Sequence, residues 1–246
     1  MPRFPPHTRQ EKGIRTAPMS GNTPEFKGFP PLFTRTLLIY SIESENTMPN
    51  APNDTDPKLN LYIKFLKERL AFEPHSATLH YNLGLAYTHK GLIAEAISEF
   101  KQALECDPNL AQAYVNLGGL YEEVEPAKSI EANMKALEIN PDLGPAHSNL
   151  AFGYLRCGEP DKAIAHGKRA LELMPGSPKA YQLLAAAYLE AGQAEASAEL
   201  SMKMIEADSS FASAHLNLAI ALRVLGKDQQ ADEHVRKAQQ LGYEPT

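Results

Sequence analysis

A 34-residue pattern of apolar, small and turn-forming residues repeats along most of the chain. The first copy runs from Ala77 to Leu110, and its fixed positions hold Leu83, Gly84, Tyr87, Gly91, Ala96, Phe100, Ala103 and Pro108. Glycine breaks a helix and proline stops one, so this copy predicts two helices joined by a turn at Gly91 and ended by Pro108. The small side chains of Gly84 and Ala96 are expected where the two helices cross closely.

Four more copies follow in register and occupy residues 111–143, 144–177, 178–211 and 212–246. The second copy is one residue shorter and has no turn glycine, so Pro126 is expected to open its second helix. In the fourth copy Ser209 replaces the closing proline, and the fifth ends in a helix predicted over Ala231–Leu241. Five copies in register do not arise by chance, and they predict a linear stack in which each unit contacts its neighbours.

This pattern resembles the tetratricopeptide repeat. The resemblance implies an all-α fold, namely a right-handed superhelical solenoid of helix–turn–helix repeats. It also implies a non-enzymatic scaffold for protein–protein interaction, which binds a peptide segment of a partner protein in its concave groove. Two alternatives stay open: a structural protein that self-assembles into a homo-oligomer through its N-terminal helix, and a regulatory subunit of a separate enzyme.

Residues 1–56 precede the array and are dense in proline and glycine, without a lasting helical or strand period. This composition predicts a disordered N-terminal extension. Its apolar exception is the stretch from Leu32 to Tyr40, which either folds back into a groove of the repeats or docks on a partner. The alternative is that residues 1–47 are a plain unstructured extension and that Met48 is the true first residue.

Residues 57–76 are predicted to form a capping helix that covers the first repeat. Acidic and hydroxyl residues at 54–56 precede Pro57, which is typical of a helix start, and the helix is expected to end near Glu73. One apolar stripe on it comprises Leu59, Tyr62, Ile63, Leu66 and Leu70. Other apolar residues, Leu61, Phe65 and Phe72, lie off this stripe, so a self-association edge is the alternative interpretation.

The resemblance places positions two, five, six, nine, twelve and thirteen of each repeat on the concave side. Position six holds an asparagine in four repeats and Leu183 in the other. A ladder of asparagines is expected to give donors and acceptors to the backbone of an extended peptide, although asparagine at this position also fits the family consensus without any ligand. The predicted peptide-binding residues are Tyr81, Asn82, Leu85, Asn116, Asn149, Phe152, Leu155, Lys179, Leu189, Asn217, Ile220 and Arg223.

The apolar floor of this predicted groove also includes Val115 and Leu216, and Glu122, Glu123, Arg156 and Glu190 join Lys179 and Arg223 as orienting charges. The two-carboxylate clamp that some members of the family use for chaperone tails needs a lysine at position five. Position five here is Tyr81, Val115, Ser148, Gln182 and Leu216, so this use is disfavoured.

Three histidines recur at position four, where the family places a large aromatic residue: His80, His147 and His215. They alternate with Tyr114 and Tyr181, so successive histidines lie two repeats apart, too far to share one ion. They are therefore interpreted as packing residues, and no metal site is predicted. The remaining histidines, His75, His89, His166 and His234, show no pattern and receive no role. The chain also lacks the common catalytic and nucleotide-binding motifs, so no catalytic residue and no cofactor are predicted.

Composition narrows the partners and the compartment. A net charge of −6 and a pI of about 5.8 argue against nucleic acid as the partner, and no apolar run approaches the ~18 residues of a membrane span. The two cysteines, Cys106 and Cys157, suit neither a zinc site nor a disulfide framework and are interpreted as reduced packing residues. These features predict a cytoplasmic protein.

Overall fold

The computed structural model describes residues 57–243, and every regular element in this range is an α-helix. The helices are α1 (Pro57–Phe72), α2 (Ala77–Lys90), α3 (Ile93–Cys106), α4 (Ala111–Tyr121), α5 (Pro126–Ile139), α6 (Gly144–Arg156), α7 (Pro160–Leu173), α8 (Pro178–Glu190), α9 (Ala194–Ala207), α10 (Ala212–Val224) and α11 (Asp228–Gln240). The predicted N-terminal extension, including the apolar stretch Leu32–Tyr40, lies outside the described residues.

The helices pack as a linear series, which confirms the prediction of an all-α solenoid. The helices after α1 form five pairs, and the first helices of these pairs are α2, α4, α6, α8 and α10. Within each pair the first helix packs against the second, and the second helix also packs against the first helix of the following pair. From α4 onward the first helices also contact one another in succession. The first helices therefore form the inner layer of the stack and the second helices form the outer layer. The side of the first helices that faces away from the second helices is the concave face.

Turn geometry explains where most of the first helices end. At Gly91 the backbone has φ of 75°, and the N–H of Leu92 donates to the carbonyl oxygen of Tyr87 at 2.9 Å. Only glycine adopts this left-handed conformation without strain. The second pair has no such glycine; Glu122 stays right-handed after α4, and α5 begins at Pro126, as predicted.

Two sequence-based expectations need correction. The last helix, α11, begins at Asp228 and not at Ala231, because Asp228 and its neighbours form a first turn with the negative charge that a helix N-terminus favours. Of the cysteines expected to pack inside, Cys157 is exposed at the end of α6, and Cys106 is half-buried; both are free.

The apolar core is divided into two large clusters. The N-terminal cluster surrounds Phe100 and Leu83, and the C-terminal cluster includes Leu183 and Phe152. A small third cluster around Val115 belongs to the region between them. The stack is therefore two apolar bodies joined near the second pair, α4 and α5.

The second pair differs because its core contains an amide where the first pair has an aromatic ring. A Cβ atom added at Gly84 would lie 2.8 Å from the ring of Phe100. In the second pair, a Cβ at Gly118 would lie 2.0 Å from Nδ2 of Asn133, so Asn133 takes the place of the ring. Asn133 is fully buried, and its Nδ2 donates to the carbonyl oxygen of Ser129 at 2.8 Å.

Adjacent glycines in α4 test this packing with a matched control. Gly118→Ala is expected to destabilise the protein by about 1–3 kcal/mol, because the new methyl group overlaps the Asn133 amide. Gly119→Ala places its Cβ in ordinary contact, 3.8 Å from Nδ2 of Asn149, and is expected to be neutral or stabilising by up to ~1 kcal/mol through helix propensity. Urea denaturation measures both; equal effects would contradict the close contact.

Candidate functional site

The concave face carries hydrogen bonds that join neighbouring first helices. Near its N-terminal end, Nδ2 of Asn116 on α4 donates to the hydroxyl of Tyr81 on α2 at 3.1 Å. Near its C-terminal end, Nε2 of Gln182 on α8 donates to the hydroxyl of Ser213 on α10 at 2.6 Å. Side chains at concave positions therefore stabilise the stack as well as lining its groove.

Asn149, in the middle of the predicted asparagine ladder, is engaged within the protein. It is 8% exposed, and its Nδ2 lies 3.4 Å from the Val115 carbonyl oxygen and 3.2 Å from Oδ1 of Asn133. With the amide turned over, the same nitrogen lies 2.8 Å from Oε1 of Glu122. In both orientations the amide nitrogen of Asn149 bonds to residues of the second pair, so this nitrogen is satisfied by the fold.

An ion pair crosses the concave face beside Asn149. Nζ of Lys179, at the start of α8, donates to the two carboxylate oxygens of Glu122, at the end of α4, at 3.0 and 3.2 Å. Glu122 is 8% exposed; its burial raises the pKa of this carboxyl group, and the charge and hydrogen bond of Lys179 oppose that rise. Because α4 and α8 belong to the second and fourth pairs, the bridge joins two first helices that are not neighbours.

Much of the predicted apolar floor lies in the core. Phe152, Leu155 and Leu189 are only 3–5% exposed and pack within the C-terminal cluster. Val115 and Leu216 are also buried, whereas Tyr81, Leu85 and Ile220 are half-buried. The accessible apolar surface is thus found towards the two ends of the groove, and the middle is polar.

The asparagines of the ladder have different environments. Asn116 is paired with Tyr81, and Asn149 is enclosed by the second pair. The side-chain amides of Asn82 and Asn217, by contrast, make no hydrogen bond among residues 57–243. Asn217 is only 3% exposed, and Ser148, beside Asn149, has a buried hydroxyl oxygen without a hydrogen-bond partner in the same range.

Sequence reasoning missed which concave residues pair with each other. Glu122 and Lys179 were both expected as orienting charges, but the structure joins them to one another. Arg223 likewise pairs with Asp232 of α11 at 2.8 Å. The opposite charges of Glu122 and Lys179 at concave positions could have indicated an ion pair. No feature of the sequence indicated the hydrogen bond between Gln182 and Ser213.

Four of the histidines form two equivalent pairs. Nδ1 of His147 lies 2.9 Å from Nδ1 of His166, and Nδ1 of His215 lies 2.9 Å from Nδ1 of His234. Nε2 of His147 donates to the Pro141 carbonyl oxygen at 3.1 Å, so in the neutral pair its Nδ1 accepts from His166. His166 and His234 therefore do have a pattern: each follows its position-four histidine by 19 residues.

Burial and the neighbouring ring make a second charge in these pairs unfavourable. Burial is the larger cause, and together with the charge of His147 it lowers the pKa of His166 to about 4. The pKa of His234 is also lowered, by burial first and by His215 second, with Glu233 acting in the opposite direction. In the first repeat the partner of His80 is a carboxylate, with Nδ1 lying 2.7 Å from Oε2 of Glu99.

Residues 57–243 contain no group of three or more His, Cys, Asp or Glu side chains that could hold a metal ion. None of the helices in the same range is long and apolar enough to cross a membrane.

The paired inner and outer layers define an α-helical repeat solenoid, and two family models name the repeat. A TPR repeat model matches residues 86–124, and a tetratricopeptide repeat model matches residues 154–208. Both of these stretches of the chain therefore contain tetratricopeptide repeats. Whether each of the five helix pairs is a repeat of this family stays a prediction from the sequence.

Solved structures share the fold at low sequence identity. MamA is 24% identical over 69% of this chain and 96% of its own, with a TM-score of 0.61. YrrB, a TPR protein with an unusual peptide-binding site, is 20% identical over 72% of this chain and 92% of its own, with a TM-score of 0.63. A tetratricopeptide repeat protein from Parabacteroides merdae is 20% identical over 87% of this chain and 82% of its own, with a TM-score of 0.65. A search of curated proteins gives no match.

Removing Lys179 tests the buried ion pair. Lys179→Met leaves the Glu122 carboxylate buried without its cation and is expected to destabilise the protein by about 2–3 kcal/mol at neutral pH, allowing for the partial exposure of Lys179. The control is Lys203→Met, which removes an exposed pair with Glu199 and is expected to cost at most ~0.5 kcal/mol. Similar unfolding free energies for the two variants would show that the bridge contributes nothing.

The histidine pairs predict a stability that falls on acidification. Because the pKa of His166 is lower in the folded chain than its ordinary 6.5, the unfolded chain binds more protons between about pH 6.5 and pH 4. Stability is therefore expected to fall across this window, by about 1–2 kcal/mol at this half-buried site after allowing for solvent screening.

The matched variant carries His166→Leu and His234→Leu, since the fourth repeat has Leu200 at the corresponding position. Its unfolding free energy is expected to change less than that of the parent between pH 6.5 and 4. Parallel pH profiles for the two proteins would rule out the lowered pKa values as a source of acid sensitivity.

Proposed function

We propose that the concave groove binds an extended segment of a partner protein, and that this contact is how the repeat scaffold acts. Tetratricopeptide repeats are protein-interaction modules, and proteins of this family generally act as scaffolds without catalysis. The proposal rests on two amides, Asn82 and Asn217, at concave positions towards opposite ends of the groove, which make no side-chain hydrogen bond among residues 57–243.

Neither amide is buried without a partner, so both are open to solvent and free to exchange water for the polar groups of a ligand. The side chain of asparagine offers both a donor and an acceptor, so it is able to bond both the carbonyl and the N–H group of an extended backbone. The partly buried hydroxyl-bearing ring of Tyr81 and the side chain of Leu85 lie on the same helix as Asn82. Ile220 follows Asn217 on α10. Each end therefore combines a polar group with apolar surface.

The middle of the groove is expected to select against a bulky apolar ligand residue. The bridge between Glu122 and Lys179 makes this part of the groove polar, and Phe152 and Leu155 beside it belong to the core. A segment that follows the groove would place small or polar residues there and aliphatic residues at the ends. YrrB shows that a peptide-binding site exists in a protein of the same fold, and at 20% identity it supports the proposal at the level of the fold alone.

Peptides selected from a random display library against the full chain test the proposal without a known partner. The dissociation constants of selected peptides are measured by fluorescence anisotropy. The double variant Asn82→Ala with Asn217→Ala is expected to weaken binding about 30-fold, because each side chain is expected to contribute ~1 kcal/mol to the binding free energy through its hydrogen bonds. Leu85→Glu with Ile220→Glu is expected to weaken binding further.

The control variant carries Met134→Glu and Met202→Glu, which make the same apolar-to-acidic change at exposed residues of the outer helices. It is expected to bind like the parent. Peptides whose affinity depends on Met134 and Met202 and is insensitive to the groove variants would refute the concave site.

A further inference from the structure

The first helix has an apolar surface that the described residues leave exposed. Leu61, Tyr62, Phe65 and Phe72 are 67%, 45%, 53% and 84% exposed, and we call this surface the open face of α1. On the opposite side of the helix, Ile63 and Leu66 are buried against the N-terminal cluster. Helix α1 therefore has two apolar sides, of which the fold uses one.

In sequence α1 corresponds to the second helix of a repeat. The described residues contain no first helix that would pair with it, so one of its faces is exposed. Pro74 precedes Pro108 by the repeat length, and Leu66 occupies the position that Phe100 occupies in the next pair, where both side chains are buried. The position of the fully buried Ala96 corresponds to Tyr62, which is 45% exposed. A large ring at this position prevents the close crossing that a regular first helix makes, so the surface suits a short segment better than another repeat.

We propose that the open face of α1 is covered by the segment Leu32–Tyr40 of the same chain. This segment holds six large apolar residues, Leu32, Phe33, Leu37, Leu38, Ile39 and Tyr40, within residues 1–56, which are otherwise rich in proline, glycine and polar side chains. Lys58, Lys64 and Glu68 border the open face, and Glu68 lies 3.9 Å from Nζ of Lys64, so charge does not select the segment. The two elements are complementary in their apolar groups.

The tether between the two elements is long enough. Residues 41–56 connect Tyr40 to Pro57 and reach up to ~55 Å when extended, whereas the 16-residue helix α1 is about 24 Å long. A connection of this length keeps the segment at a high effective concentration near the face, on the order of millimolar.

A second copy of the chain is the less suitable occupant. Aromatic side chains bury ~150–250 Å² each, so the exposed parts of these four residues offer roughly 400–500 Å². A stable interface needs about 800 Å² from each partner. The tethered segment needs less area, because its association is intramolecular.

Hydrogen exchange on the full chain tests the proposal. The variant Leu37→Asp with Leu38→Asp is expected to raise amide exchange of residues 57–72 by at least ~10-fold, since local opening no longer has to displace the segment. The control, Thr34→Asp with Thr36→Asp, adds the same charge to the same segment and is expected to leave exchange in α1 unchanged.

The reciprocal variant, Leu61→Asp with Phe65→Asp, changes exposed side chains and should therefore fold normally, as circular dichroism would verify. It is expected to raise amide exchange of residues 32–40 by a similar factor while the mass in solution stays that of a monomer. Unchanged exchange in both double variants would overturn the proposal. Protection of α1 that rises with protein concentration, together with a dimer mass, would overturn it in favour of a second copy.

Discussion

The close crossing of two helices at a glycine or alanine is the constraint on which the stack depends. Gly84 and Gly118 occupy this position in the first two pairs, and the buried Ala151, Ala185 and Ala219 occupy it in the others. In the first pair the ring of Phe100 would lie only 2.8 Å from a Cβ at Gly84, so the helices approach each other and the ring fills the space between them. The first helix of the following pair, α4, then packs against another side of α3. Repetition of this step sets the spacing of the inner layer, and the inner layer forms the groove.

The second pair keeps the crossing but changes its chemistry. Asn133 replaces the ring, and its amide is bonded to Ser129 and lies within reach of Asn149. Glu122 and Lys179 continue these polar contacts to the concave face. A buried polar group is stable only with its partners in place, so this region contributes specific bonds to the orientation of the two apolar bodies.

The fold could be predicted from the sequence because the repeat length and the breaks at glycine and proline are local signals. Gly91 ends α2 and Pro126 begins α5 for reasons that each residue carries in its own backbone. The groove was harder to predict. Phe152 and Leu189 occupy concave positions of the repeat, yet their exposure depends on how far neighbouring first helices separate, which no single repeat specifies. The histidine pairs were missed because their regularity joins two helices at an offset of 19 residues, and it is visible only when the units are aligned.

Photo-crosslinking of a display-selected peptide to the full chain, followed by mass-spectrometric identification of the linked residues, is the direct test of the concave binding site. Crosslinks are expected on the first helices, concentrated on α2 near Leu85 and on α10 near Ile220. Crosslinks confined to the outer helices α3, α5, α7, α9 and α11, or to α1, would contradict a concave binding site.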